Sequence, residues 1–229
     1  MKLKMPYGIS NYEELITENY YYVDKTKYIE RLENLPEKRI MFLRPRKFGK
    51  TLFTSVLENY YDKNKADRFE KLYGNTYIGK NPTNLKNSYC ILRFNFSGID
   101  TSTEEATIKG FKNSTIESIR LFIGRYNLDF YINENQDAEE ILNSLFTAFS
   151  LQKSIEKIYV IIDEYDHFAN ELLGFYPEQF KSLVSKNGKV RKWYEILKKG
   201  TETVIDRIFI TGVAPITLDS LTSGFNIGK

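Results

Sequence analysis

Eight residues, Arg44-Pro45-Arg46-Lys47-Phe48-Gly49-Lys50-Thr51, follow the apolar run Ile40-Met41-Phe42-Leu43 and open a stretch with helical periodicity. A strand that runs into a loop ending Gly-Lys-Thr at a helix N-terminus is a setting for holding polyphosphate. Backbone N–H groups surround the phosphates, the lysine reaches the β and γ oxygens, and the Ser/Thr hydroxyl ligates Mg²⁺. Gly49, Lys50 and Thr51 meet those needs, and the residues expected to hold the nucleotide are Arg46, Lys47, Phe48, Gly49, Lys50, Thr51 and Leu52. The pattern G-x-x-x-x-G-K-[ST] fails at its first position, where Arg44 stands, so a second motif must share the assignment.

That motif is Ile158-Tyr159-Val160-Ile161-Ile162-Asp163-Glu164, an almost unbroken apolar run ending in two carboxylates. A strand apolar on both faces belongs inside a parallel sheet, and an open α/β sheet places its ligand at the strands' C-terminal ends. It reads as a Walker B strand. Asp163 is expected to hold Mg²⁺ directly or through water, as Thr51 does from the loop, and Glu164 to orient and polarise the attacking water. The plainer alternative is a buried strand followed by an acidic turn; the two motifs together, in this order, favour Mg²⁺-dependent ATP binding. Thr211, at the tip of a short strand over 205–211, is a third catalytic candidate beside Lys50 and Glu164. It would touch the γ-phosphate or its water, or else only satisfy a loop amide.

The elements that must position these groups follow from periodicity. Ser10 and Glu13 have capping-box spacing before a short helix, and Thr26 is expected to cap a helix that Pro36 ends. Residues 39–43 form the first core strand, and a helix from 50 to about 61 buries Leu52, Phe53, Val56, Leu57 and Tyr60. Residues 89–96 alternate, with Cys90, Leu92, Phe94 and Phe96 on one face and Ile91, Arg93 and Asn95 on the other, as in a half-exposed edge strand. Helices are expected over 103–126, 137–152, 177–186 and 188–199. Asp166 is read as a cap for the helix after the Walker B strand rather than part of a magnesium shell. His167, the only histidine, is a poor metal site by itself.

The chain has 229 residues, 41% hydrophobic and 28% charged, which suits one principal domain. One cysteine cannot form an internal disulfide, no apolar stretch is long enough to span a bilayer, and the N-terminus lacks a signal-peptide core; a cytoplasmic setting and no membrane partner are expected. A net charge of +3 does not announce a nucleic-acid face. Arg44, Arg46, Lys47 and Lys50 concentrate charge at the loop, while the lysines and arginine between 181 and 199 read as a solvated helix face.

Several blocks together carry a family resemblance: Tyr22-Val23-Asp24-Lys25-Thr26, the loop 44–51, Ile161-Ile162-Asp163-Glu164-Tyr165-Asp166, Thr211-Gly212-Val213-Ala214-Pro215-Ile216 and Leu221-Thr222-Ser223-Gly224-Phe225-Asn226. In this order the chain resembles the bacterial AAA-ATPase-like family over nearly its whole length, and in that family Arg44 is an expected variation. The resemblance implies an α/β P-loop NTPase sheet of mainly parallel strands, flanked by helices, in order 5-1-4-3-2. Strands 1 to 4 would be residues 39–43, 89–96, 158–163 and 205–211. Strand 5, and the nuclease-like domain that often follows in the family, are expected to be absent from this chain. The expected division is an N-terminal helical segment over 1–38 packed on a P-loop core over 39–229 that looks cut short and leaves strand 1 as an edge.

By analogy with the N-terminal segments of similar ATPases Tyr22 and Asp24 would lie near the adenine, with an aromatic packing role as the equal alternative. Arg191, Arg207 or an arginine from another subunit in a homo-oligomer could serve as arginine finger. Three functions stay open: Mg²⁺-dependent ATP binding with slow hydrolysis, a nucleotide-binding interaction module without turnover serving a nucleic-acid-processing system, and a nucleic-acid-binding regulator.

Overall fold

The computed structural model describes residues 3–152, 156–184 and 188–215. In chain order the elements are α1 (Tyr12–Thr17), α2 (Lys27–Glu33), β1 (Arg39–Leu43) and α3 (Lys50–Tyr61); after a 3₁₀ segment (Lys63–Arg68) come α4 (Phe69–Tyr73), α5 (Tyr77–Lys80) and β2 (Tyr89–Asn95). Then follow α6 (Glu104–Tyr126), α7 (Ala138–Leu151), β3 (Lys157–Asp163), α8 (His167–Phe175), α9 (Pro177–Val184), α10 (Lys189–Gly200) and β4 (Ile205–Gly212). The four strands form one all-parallel sheet in the order β1-β4-β3-β2. This is the α/β arrangement expected of a P-loop NTPase sheet, with strands 1, 4, 3 and 2 in the implied order.

Side-chain alternation divides the core into two layers. Cys90, Leu92 and Phe94 of β2 and Ile158, Val160 and Ile162 of β3 pack with Phe111, Leu145 and Trp193 from α6, α7 and α10. On the opposite face Tyr89, Ile91, Tyr159, Ile161 and Phe209 meet Val56, Leu57, Tyr60 and Tyr61 of α3. The N-terminal segment joins this second layer: Tyr12 donates from its hydroxyl to Leu72 O at 2.8 Å and from its backbone N–H to Ser55 Oγ at 2.9 Å.

Some sequence expectations change here. β2 does lie at one edge of the sheet, but it is not half-exposed: Ile91 is 1% exposed, because α3 and the segment after it cover the second face. Asn11, not Ser10, caps α1, accepting from the N–H groups of Glu13 and Glu14. Thr26 precedes α2 but makes no capping bond with its side chain; its hydroxyl bonds Asp24 Oδ1 at 2.7 Å and accepts from Ile78 N at 3.1 Å. β1 is the other edge among the described residues, and all five of its residues are partly buried. The block over 221–226, and residue 216 of the block before it, lie outside the described residues, as does the end of the helix expected over 177–186. No helix among the described residues is long and apolar enough to cross a membrane.

Candidate functional site

The parallel register brings the ends of β1, β4 and β3 together: Leu43 pairs with Gly212, and Ile162 with Ile210, so Asp163 arrives beside Thr211. Arg44 N–H continues the ladder one step past β1, donating to Gly212 O at 3.1 Å. The chain then curls through two left-handed residues, Lys47 (φ 67°) and Gly49 (φ 77°), into α3. A lysine in that region is strained by roughly 1–2 kcal/mol, a cost such loops bear at functional sites. Gly49 caps α3 without a side chain, and no acidic residue stands in the first turn, so the leading N–H groups of a 12-residue helix have no side-chain acceptor at its cap. That geometry suits an anion.

Lys50 is 6% exposed, and its Nζ donates to Arg44 O at 2.9 Å and Pro45 O at 3.1 Å, underneath its own loop. Arg46, Lys47 and Phe48 are exposed on the loop's outer side. Arg44 lies over the Phe42 ring, with its guanidinium carbon 5.0 Å from the centroid.

Asp163 is completely buried. Its Oδ1 accepts from Thr211 Oγ1 at 2.6 Å, and its Oδ2 from Arg93 Nη2 at 3.1 Å. Thr54 Oγ1 also lies 3.4 Å from Oδ2, but its single proton has a closer acceptor in Thr51 O at 2.8 Å. The α3 threonine that reaches the aspartate is therefore Thr54, one turn beyond the Thr51 expected to share a metal with it. Thr211 meets its plainer reading, since its oxygen accepts the Glu164 N–H at 3.3 Å.

Glu164 sits at φ 52°, an uncommon conformation for a glutamate. Asp166 does not cap α8 with its side chain. Its Oδ2 instead accepts from Val213 N and Ala214 N, both at 2.8 Å, and from Asn170 Nδ2. Tyr165 donates to Ala214 O at 2.7 Å, and a Cβ on Gly212 would stand 2.3 Å from its ring. The turn after β3 is thus clasped to the chain leaving β4, and only glycine permits the approach.

Arg93 is the side chain bonded to Asp163 that sequence reading passed over. Its strand alternation was visible, but α3 turns that face into an interior lined by Thr54 and Glu58, with Glu58 Oε2 at 2.9 Å from Arg93 Nη1. Glu58 also takes Arg125 Nη1 at 2.8 Å. Burial pushes the Glu58 carboxyl up, and the two guanidiniums outweigh it, leaving its pKa below the ordinary value. The arginine-finger candidates lie elsewhere. Arg207 is paired in register with Tyr159 near the start of β4, far along the strand from Thr211, and Arg191 bonds Glu195 on α10. His167 faces Glu171 at 3.8 Å.

Two cavities flank Gly49 and share Lys25 and Phe53. One, of about 430 Å³, lies under Met5, Pro6, Gly8, Tyr21 and Tyr22; the other, of about 270 Å³, lies between Tyr28, Phe42 and Phe48. Tyr22 lines the larger cavity, and its ring also packs edge-on against Tyr12, with centroids 5.1 Å apart. Asp24 does not line it: its carboxylate accepts from Thr26 N and Tyr77 N and ties the N-terminal segment to α5.

A family model described as a predicted AAA-ATPase, the AAA-ATPase-like family, matches residues 6–222. The chain belongs to that family. The match takes in both N-terminal cavity walls, the loop 44–51 and the Asp163-Glu164 pair, and membership supports a nucleotide-binding domain. Comparison with curated proteins and with solved structures returns no match.

Proposed function

We propose that this AAA-ATPase-like domain binds ATP with Mg²⁺ at the 44–52 loop and hydrolyses it slowly. The observation that carries the reading is the convergence of the buried Lys50 ammonium, the uncapped start of α3 and the Asp163–Thr211 pair at the C-terminal ends of adjacent parallel strands. On binding, Lys50 would exchange its two loop carbonyls for phosphate oxygens, and the N–H groups of residues 50–52 would donate to the anion's oxygens. The backbone from Arg46 to Leu52 would wrap the phosphates, with the base in the larger flanking cavity, whose wall is built by residues before β1.

The donor set suits Mg²⁺, a hard cation that takes oxygen ligands and needs few from the protein when phosphates supply others. Thr51 and Asp163 would hold the metal; among the described residues no cluster of three His, Cys, Asp or Glu side chains competes for it. Bound there, Mg²⁺ would neutralise charge on the phosphate oxygens. Glu164, which follows the last residue of β3 at φ 52°, would orient the attacking water, and Thr211 would fix the neighbouring carboxylate. With neither Arg191 nor Arg207 beside the site, turnover without an arginine finger would be slow by about 10³ to 10⁵.

A second reading, nucleotide binding without turnover, draws support from Asp163 already having strong donors on both oxygens. Titration of a fluorescent ATP analogue with and without Mg²⁺ separates the readings. Lys50→Ala should weaken binding by about ten- to a hundredfold, the worth of a charge-assisted bond. Glu164→Gln should keep binding and lose hydrolysis. Binding without hydrolysis in the wild-type chain would select the second reading, and no binding by the folded wild-type chain would refute both.

A further inference from the structure

We propose that Arg93 is a latch on the magnesium site: its guanidinium holds Asp163 and must be displaced for the carboxylate to serve Mg²⁺. This rests on the ATP-binding reading above and adds a regulatory contact to it. The geometry has three parts. Arg93 Nη2 lies 3.1 Å from Asp163 Oδ2, while the other oxygen accepts from Thr211, so each oxygen of a fully buried carboxylate already carries a donor and the arginine's is the charged one. Arg93 reaches there from the neighbouring strand, where Asn95 pairs with Asp163 and Arg93 stands two residues earlier on the same face. Its second nitrogen stays on Glu58 at 2.9 Å, a carboxylate that belongs to α3 and not to the candidate metal site.

A guanidinium and a divalent cation are both positive and both seek the same oxygen, so their simultaneous occupation is electrostatically unfavourable. Displacement is also sterically open. Arg93 retains 26% of its side-chain exposure, and a cavity of about 230 Å³ adjoins it, lined by Glu58, Asn95, Ser118 and Glu117, which offer other acceptors. Glu58 keeps Nη1 while the guanidinium turns to withdraw Nη2, and Arg125, also on Glu58, holds that pivot in place. The latch raises the Mg²⁺ concentration needed to complete the site, and it gives a buried aspartate a counter-charge while the metal is away.

The test titrates free Mg²⁺ against binding of a fluorescent ATP analogue, in wild-type protein and in Arg93→Gln and Arg93→Lys, after EDTA titrations have fixed each protein's metal-free affinity. The latch predicts unchanged affinity in EDTA and a Mg²⁺ half-saturation lowered by about tenfold or more in Arg93→Gln, the consequence of removing one charge-assisted bond. Arg93→Lys, which keeps the charge but not the fork, should fall between. An unchanged or raised Mg²⁺ requirement with normal binding in EDTA would overturn the latch while leaving the nucleotide site standing. Absence of nucleotide binding in all three folded proteins would overturn the latch together with the function it rests on. A general loss of stability alone would weaken binding with and without metal alike, an outcome that also counts against the latch.

Discussion

Replacing Thr211 by valine removes a hydroxyl without changing the side chain's shape, and the structure allows the cost to be worked out. Thr211 is fully buried and donates to Asp163 Oδ1 at 2.6 Å, a short bond to a charged acceptor. Hydrogen bonds to charged groups contribute about 1.5–3 kcal/mol net. Asp163 keeps Arg93 on its other oxygen, so the carboxylate is not orphaned and the loss falls toward the lower end. The second bond, from Glu164 N–H at 3.3 Å, is long and belongs to a partly exposed residue, so water replaces it at little cost. A methyl in place of the hydroxyl returns less than about 1 kcal/mol through burial. The expected net destabilisation is about 1 kcal/mol, or roughly 2–4 °C in Tm for a domain of this size.

Urea unfolding should show the midpoint falling with the slope unchanged. Thr211→Ser, which keeps the donor, should lose less. Combining Thr211→Val with Asp163→Asn should give an interaction energy of about 1 kcal/mol or more, because the two changes remove the same bond. Additivity of the two substitutions, or a serine variant no more stable than the valine one, would refute the role assigned to the Thr211 hydroxyl.

Glu58 makes a pH prediction. Its folded pKa lies below its ordinary 4.5, so the stability it contributes is complete above that value and is lost as pH falls through the lower folded pKa. Glu58→Gln should therefore cost about 2 kcal/mol near neutrality, where two partly exposed arginines lose their shared partner. It should also flatten the acid limb of a urea-midpoint profile below about pH 4.5, and parallel profiles for the two proteins would contradict this. Cys90, 1% exposed and with its thiol pushed up to about 11 chiefly by burial, should react with a thiol reagent only as the protein unfolds. Labelling in native buffer as fast as in urea would show that β2 is not covered as described.

Much of the candidate site was legible because its chemistry is local in sequence. A loop that must curl tightly and lead a helix needs Gly49, Lys50 and Thr51 in succession, and a central parallel strand announces itself by continuous apolar residues ending in Asp163. The strand order followed from the family resemblance. Periodicity alone misjudged β2, since alternation records which residues share a face and not what covers it. Tyr89 and Ile91 look like the solvent side of an edge strand until α3 is laid over them. The compact segment between α3 and β2, made of short helices stabilised by packing of Phe69, Leu72, Tyr73 and Ile78 in the aromatic layer, has too little periodicity to be read.

The sequence by itself determined the α/β class, the phosphate-loop candidate and the acidic strand end, because each depends on residues within a few positions of one another. Tertiary structure alone decided the partners of those residues. Asp163 meets Thr211 because β3 and β4 are neighbours in register, and it meets Arg93 because β2 flanks the other side. Asp166 serves the chain leaving β4 rather than the helix it precedes, since those backbone N–H groups are brought to its carboxylate by the sheet. A buried carboxylate takes the donors that packing delivers, and which donors arrive is a property of strand order and helix placement that no single stretch of chain encodes.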